Sequence, residues 1–297
     1  MTAPHRTRTA LPGCPGAVHA ALLSHGWSGL PIFRRTDGPS VTLGVRTATR
    51  DVALTLADAG DGVSVDATVH TGACLTPVDA RELAREILGL DIALDDFWAR
   101  CRRSPRHRWV AERRVGNQLR APSVLDDLLI LACTVNCTWG RAVNLVQSLA
   151  ALAPAIDGLP VLPDAATIVA AGEASLRARS FGYRARHLHA LAQAVVAGGM
   201  PTRAELRAMD PMLARKTLVA LPGVGPYVAE TALRIVGVHG FYGMDSWNTT
   251  CVPEAADGAA ALHARYDRVF GATWRGLAYW CDATRSWHGQ KRLTPSG

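Results

Sequence analysis

The sequence predicts an α+β fold: a small N-terminal antiparallel sheet followed by a mostly helical body. Three observations carry that reading. Short segments near the start alternate partly in polarity, and two of them flank Ala59-Gly60-Asp61-Gly62, a good hairpin turn. From Thr76 onward the apolar residues take helical spacing behind capped starts. Late in the chain, Leu221-Pro222-Gly223-Val224-Gly225 sits between two helical stretches, and Asp245 follows twenty residues after Gly225.

The 297 residues suffice for one large core or two to three small ones. No run approaches the ~18–20 apolar residues of a membrane span. Residues 1–17 carry Arg, Pro and Gly without an apolar core region, and read as a flexible basic tail. The seven Cys show no repeated spacing, which suits free thiols in a reducing cytoplasm and offers no zinc pattern. The net charge of +7 fits a polyanionic partner. Almost all the basic residues are Arg; lysine occurs only at Lys216 and Lys291.

Strands are expected at Ser40 to Thr47, Asp51 to Ala57 and Gly62 to His70, forming a small sheet within residues 18–75. Thr76-Pro77 reads as an N-cap with Pro at the first helical position. Arg100 to Arg120 holds eight Arg and His107 in 21 residues, and reads first as a solvated linker and helix face, second as a phosphate contact. Ser123, with Asp126 three residues on, starts a capped apolar helix running to about Val135. Further helices are expected from Trp139 to Leu152, at 164–179 and at 184–197. Another runs from the Asp210-Pro211 cap to about Ala220, and the next from Pro226 to about Val236.

Gly223 and Gly225 permit backbone angles that other residues resist, and let an anion approach closely. The helix that starts at Pro226 turns free N–H groups and its dipole toward the same place. Gly223, Val224, Gly225 and Tyr227 are therefore the candidate phosphate-binding residues. The same string also serves as an ordinary turn between helices, and Asp245 as an ordinary helix N-cap.

The string, its flanking helices and Gly243-Met244-Asp245-Ser246-Trp247 resemble the helix–hairpin–helix, Gly/Pro-rich, Asp (HhH-GPD) superfamily of DNA glycosylases. Ala121 to Leu128 with Thr134 to Trp139 is similar to that family's duplex-probing helix and loop. Phe181 to Arg186 is similar to its Gly-x-x-x-Lys/Arg-Ala helix start. The leading sheet and Leu88 to Phe97 resemble the AlkA-type 3-methyladenine and 8-oxoguanine branches. The likeness covers nearly the whole chain after residue 18. It implies a two-lobed body, with residues 76–122 and 251–290 in one lobe and 123–250 in the other. The helix–hairpin–helix falls at 210–236, and 291–297 form a tail.

The resemblance implies excision of a damaged base from double-stranded DNA by a monomer in the cytoplasm, associated with the nucleoid. Asp245 would be the catalytic carboxylate, stabilising the oxocarbenium character that develops on the sugar. Bifunctional members hold a Schiff-base Lys where this chain has Tyr227, which predicts base release without strand cleavage. Asn136 would fill the gap left by the flipped nucleotide. Tyr227, Trp247, Tyr183 and Trp27 are the candidate base-pocket aromatics. Residues 121–150 contain no Glu to act as a general acid, so a cationic alkylated purine, which leaves unaided, is the favoured substrate. Glycosylases for oxidised or deaminated bases, and a non-catalytic module that only grips DNA, are the alternatives. No metal and no iron–sulfur cluster are expected; a monovalent cation at the hairpin carbonyls is left open. After Asp245 the chain departs from the family: Asn248-Thr249-Thr250-Cys251 stands where basic residues are usual. His263 and His288 read as surface residues.

Overall fold

The computed structural model describes residues 4–36 and 38–289. Five antiparallel strands form one sheet in the order β1-β5-β4-β3-β2. They are β1 (His5–Leu11), β2 (Phe33–Arg35), β3 (Ser40–Arg46), β4 (Arg50–Ala59) and β5 (Gly62–Gly72). The three expected strands are the middle of this sheet. Leu54 faces Ala67 and Leu56 faces Val65 across β4 and β5, and all four side chains are buried.

The reading of residues 1–17 as a flexible tail is corrected. His5–Leu11 pairs along its length with β5, from His5 opposite Val69 to Leu11 opposite Val63. The polar residues of this edge strand hid its pattern: Arg6 and Arg8 both bond the Asp66 carboxylate from the exposed face, while Thr7 and Leu11 point inward. The expected tail at 291–297 lies outside the described residues.

The helices begin and end close to where their caps predict. Thr76 and Asp79 form a complete capping box ahead of Pro77–Ile87. Ser123 caps Val124–Thr134, and Asp210 caps Pro211–Val219 through Oδ1. The remaining expected helices are Trp139–Ala150, Ala165–Ala178, Arg184–Val196 and Pro226–Val236. A further short helix, Arg203–Ala208, was not expected.

Two cores divide the body, with the expected boundaries moved: Tyr242 and Met244, expected with residues 123–250, belong to the other core. The sheet, helix Pro77–Ile87 and the helices between 124 and 236 share a continuous core. The second core runs from Leu94 to Val115 and from Tyr242 to Ala283. Residues 77–90, expected in the lobe with 251–290, pack with the sheet instead: Ala80, Ala84 and Ile87 lie on one helical face and are all buried there.

The basic stretch Arg100 to Arg120 is mostly a solvated face, as its first reading has it, with some of its Arg also tied to the body. Arg106 pairs with the buried Asp282 at 2.7 Å, and Arg114 lies over the Trp98 ring at 4.8 Å. Arg120, 1% exposed, donates to Asp91 at 2.6 Å and to the Ile235 carbonyl at 2.7 Å. It thereby terminates the helix that follows the hairpin, satisfying carbonyls that its last turn leaves open.

Candidate active site

The hairpin is built around one glycine. Gly223 has φ +76, and a Cβ there would come within 2.6 Å of His187 Cβ. Only glycine fits that turn and that close approach. Gly223 and Gly225 are exposed, and Gly225 is the N-cap of Pro226–Val236. Val224 is corrected: its side chain is buried in the core, and its N–H is taken by the Leu221 carbonyl at 3.1 Å. The outward-facing donors of this turn are thus the glycine backbone groups and the first turn of the helix.

That helix turns one face toward a cavity of about 610 Å³. Tyr227, Thr231 and Arg234, spaced i, i+4, i+7, line it together. The opposite walls come from far away in sequence: His25, Gly26 and Trp27 after the first helix, Trp139 at the start of its helix, and Trp280 and Trp287 near the C-terminal end. Trp27 lies edge-on to His25 with centroids 4.6 Å apart. Trp247 stacks on Trp287 with centroids 5.2 Å apart and 29° between planes. Gly26 is closed in by Trp139, whose ring would meet a Cβ at 3.2 Å.

Asp245 reaches the same cavity from a short braced loop. Gly243, at φ +57, packs so tightly on the hairpin helix that a Cβ would meet Thr231 Oγ1 at 2.6 Å. Its N–H donates to Glu230 at 3.2 Å, and Glu230 is held by Arg215 at 2.8 Å. Asn248, wholly buried, donates from Nδ2 to the Gly243 carbonyl at 3.1 Å. Asp245 Oδ1 in turn caps helix Ser246–Cys251 by accepting from the Asn248 N–H. The unusual Asn248 is therefore the brace of the loop that carries the carboxylate.

Charge in the cavity is sharply arranged. Burial, then the Asp245 charge, pushes the Tyr227 hydroxyl up to about 12, so it stays protonated beside that carboxylate. Burial pulls the Arg234 guanidinium down to about 10, so it remains a cation near neutral pH. Burial holds His25 down at about 3; its Nε2 donates to the Leu119 carbonyl at 2.7 Å and its Nδ1 accepts from the Trp27 N–H. Lys216 is exposed and is not among the lining residues; Lys291 lies outside the described residues.

The other expected site residues separate. Tyr227, Trp247 and Trp27 line the cavity. Tyr183 does not: it is 51% exposed, with Arg184 over its ring at 4.8 Å and His187 edge-on at 5.9 Å. It stands beside the hairpin, because His187 is the residue packed under Gly223. Asn136 is exposed in the left-handed region, at φ +50, where the helix Val124–Thr134 ends. The buried Arg184 straps that loop, donating to the Ala132 carbonyl at 3.2 Å and to the Val135 carbonyl.

Sequence reading missed Arg234, Trp139, Trp280 and Trp287. Arg234 had a signal, since it falls on the Tyr227 face two turns along the helix. The tryptophans had none beyond their residue type. His288 is also corrected: it is buried against Trp109, with ring centroids 5.4 Å apart.

Among the described residues no helix is long and apolar enough to cross a membrane, and no cluster of His, Cys, Asp and Glu is arranged to hold a metal. No family model matches the chain. It is 28% identical over 233 residues to an N-glycosylase/DNA lyase OGG1 of Arabidopsis thaliana, a match covering 72% of this chain. The chain spans 64% of the length of that relative. In fold it is similar to a 3-methyladenine DNA glycosylase from Archaeoglobus fulgidus, with TM-score 0.72, 15% identity, and 95% and 98% of the two chains covered. It is also similar to an 8-oxoguanine glycosylase/lyase of Clostridium acetobutylicum solved with double-stranded DNA, with TM-score 0.68, 11% identity, and 97% and 98% covered. In fold the chain is thus similar to these DNA glycosylase structures, and in sequence to this N-glycosylase/DNA lyase.

Proposed function

We propose that this protein is a monofunctional DNA glycosylase acting as a monomer in base-excision repair, in a cytoplasmic, nucleoid-associated setting. It takes a damaged base out of duplex DNA and hydrolyses the N-glycosidic bond, leaving an abasic site. One observation carries the reading: Asp245 and Tyr227 meet at an aromatic-walled cavity directly behind the Gly223–Gly225 hairpin. The hairpin grips the phosphate and Asn136 fills the vacated stack. Asp245 then faces the sugar, where it stabilises positive charge and orients a water. A monovalent cation at the hairpin's backbone carbonyls belongs to the same proposal as an aid to phosphate binding.

Tyr227 supports hydrolysis without a lyase step. A neutral phenol cannot form the Schiff base that strand cleavage requires, and no lysine is among the lining residues. The relative's name includes a lyase, so this position is where the two chemistries would part.

Two classes of base are supported. Five tryptophans at the cavity favour an alkylated purine, whose positive charge is drawn to ring faces. Arg234 favours an oxidised or deaminated base. The test is incubation with duplexes carrying 7-methylguanine, 3-methyladenine, hypoxanthine, 8-oxoguanine or uracil. Free base should appear from at least one, with strand breaks only after alkali. No free base from any duplex would refute the glycosylase reading, and breaks without alkali would refute the monofunctional one.

A further inference from the structure

We propose that Arg234 sets the specificity of the cavity: it selects bases that are neutral in DNA and leave carrying negative charge, and it turns away bases that arrive as cations. This rests on the glycosylase reading above and names its substrate class.

The lining holds two guanidinium groups, Arg35 and Arg234, against one carboxylate, Asp245. Arg234 is 1% exposed, and its Nε has no hydrogen-bond partner among the described residues. Its Nη1 makes only a long 3.4 Å contact to the Tyr242 carbonyl. Its guanidinium carbon lies 3.8 Å from the Trp280 ring centroid. The protein's own cation therefore already occupies one of the cavity's five tryptophans, and a cationic base drawn to the others would meet its repulsion. A buried guanidinium on the cavity lining, with only a long contact to a protein acceptor, favours an acceptor from the ligand.

The two charges suit one transition state. A neutral base departs as a dipole, with its positive end on the sugar and its negative end on the base. Half-buried Asp245 meets the first, and the deeper Arg234 meets the second. Water oxygen bonds to the sugar's anomeric carbon as the bond to the base nitrogen breaks. The bonding pair leaves with the base, and the water proton passes to Asp245 and then to solvent. The base anion, held by Arg234, takes a proton from solvent. Arg234 thereby does electrostatically for a neutral base what a general acid would do, in a cavity whose lining histidine, His25, has both ring nitrogens engaged. A cationic base offers the opposite pattern, with positive charge at the Arg234 end. A unit charge about 8 Å away at an effective dielectric of about 20 changes a rate on the order of 30-fold.

The test compares wild type with Arg234→Met and Arg234→Lys. Single-turnover release would be followed from duplexes carrying hypoxanthine, 8-oxoguanine or 7-methylguanine, with affinity for an abasic duplex as the control for folding. Wild type should release a neutral base at least ~10-fold faster than 7-methylguanine. Arg234→Met should reverse that order, and Arg234→Lys should restore part of it. Faster release of 7-methylguanine by wild type would overturn the inference. So would equal loss on all bases in an Arg234→Met protein that still binds the abasic duplex. If no duplex yields free base, the glycosylase reading fails by itself. The charge preference is then read from tryptophan quenching by neutral inosine and cationic 7-methylguanosine. Tighter binding of inosine that is lost in Arg234→Met supports it, and tighter binding of the cation refutes it.

Discussion

Asp245 accepts a hydrogen bond of 2.7 Å from the Asn248 backbone N–H, so the candidate catalytic carboxylate is also the N-cap of its helix. The cap uses Oδ1 and fixes the direction of the other oxygen. Asparagine caps as well as aspartate does, so Asp245→Asn separates the roles. Base release should fall about 10²–10³-fold, while thermal stability and affinity for an abasic duplex stay near wild type. Unchanged release would assign the reaction to a different group.

On the glycosylase reading proposed above, Tyr227 stands where a Schiff-base lysine would serve a lyase. Treating the reacting complex with borohydride should trap no protein–DNA adduct in wild type. Tyr227→Lys places an amine in a buried site, where desolvation lowers its pKa and frees its lone pair. That variant should trap covalently and nick the strand; an adduct in wild type would contradict the monofunctional reading.

Gly223→Ala forces a side chain into φ +76 and against His187. It should destabilise the protein by about 1–3 kcal/mol, measured by urea unfolding. Affinity for duplex DNA should fall further than stability alone explains, because the displaced turn no longer presents its donors. Equal affinity at a temperature where the variant is folded would remove the hairpin from the DNA contact.

Asn136→Ala tests the plug. Release from a fully paired duplex should drop about tenfold, since filling the stack offsets part of a flipping cost of a few kcal/mol. The drop should vanish when the damaged base lies opposite a gap. A uniform drop on both substrates would show that the residue acts on the fold instead.

Acid stability follows from buried rings. Burial holds His25 and His239 down at about 3 and His288 at about 4. Their folded values lie below the ordinary value, so the unfolded chain binds more protons. The stability they confer is complete above about pH 6.5 and is lost as pH falls toward the folded values, by about 1.4 kcal/mol per pH unit per ring. Asp126, raised by burial to about 7, works in the opposite sense over part of that range. His239 isolates one ring, since both its nitrogens lack partners and it stacks on Trp274 at 5.3 Å. His239→Phe should flatten the slope between pH 6 and 5 by one proton. An unaltered slope would mean that His239 titrates normally.

The sequence was legible where a local rule forces local structure. Capping residues at Thr76, Ser123 and Asp210 located helix starts, and Gly223 announced the turn, because each acts within a few residues. Asp245 and Tyr227 were singled out through the resemblance that the hairpin carries, and both line the cavity. β1 was not, since an edge strand shows alternation only when its partner is known, and β5 lies far along the chain. The aromatic wall was not, because Trp27, Trp139 and Trp280 meet only through the packing of three separate segments. Tyr183 was misplaced for the same reason: its residue type suits a pocket, but Arg184 below it points inward and leaves the ring outside.

The cavity draws its walls from His25 near one end of the described chain and from Trp287 near the other. A chain leaving the ribosome exposes the hairpin many residues before its last tryptophans are made. The chamber is therefore the last part of the site to be completed, since Trp280 and Trp287 are made after both the hairpin and Asp245.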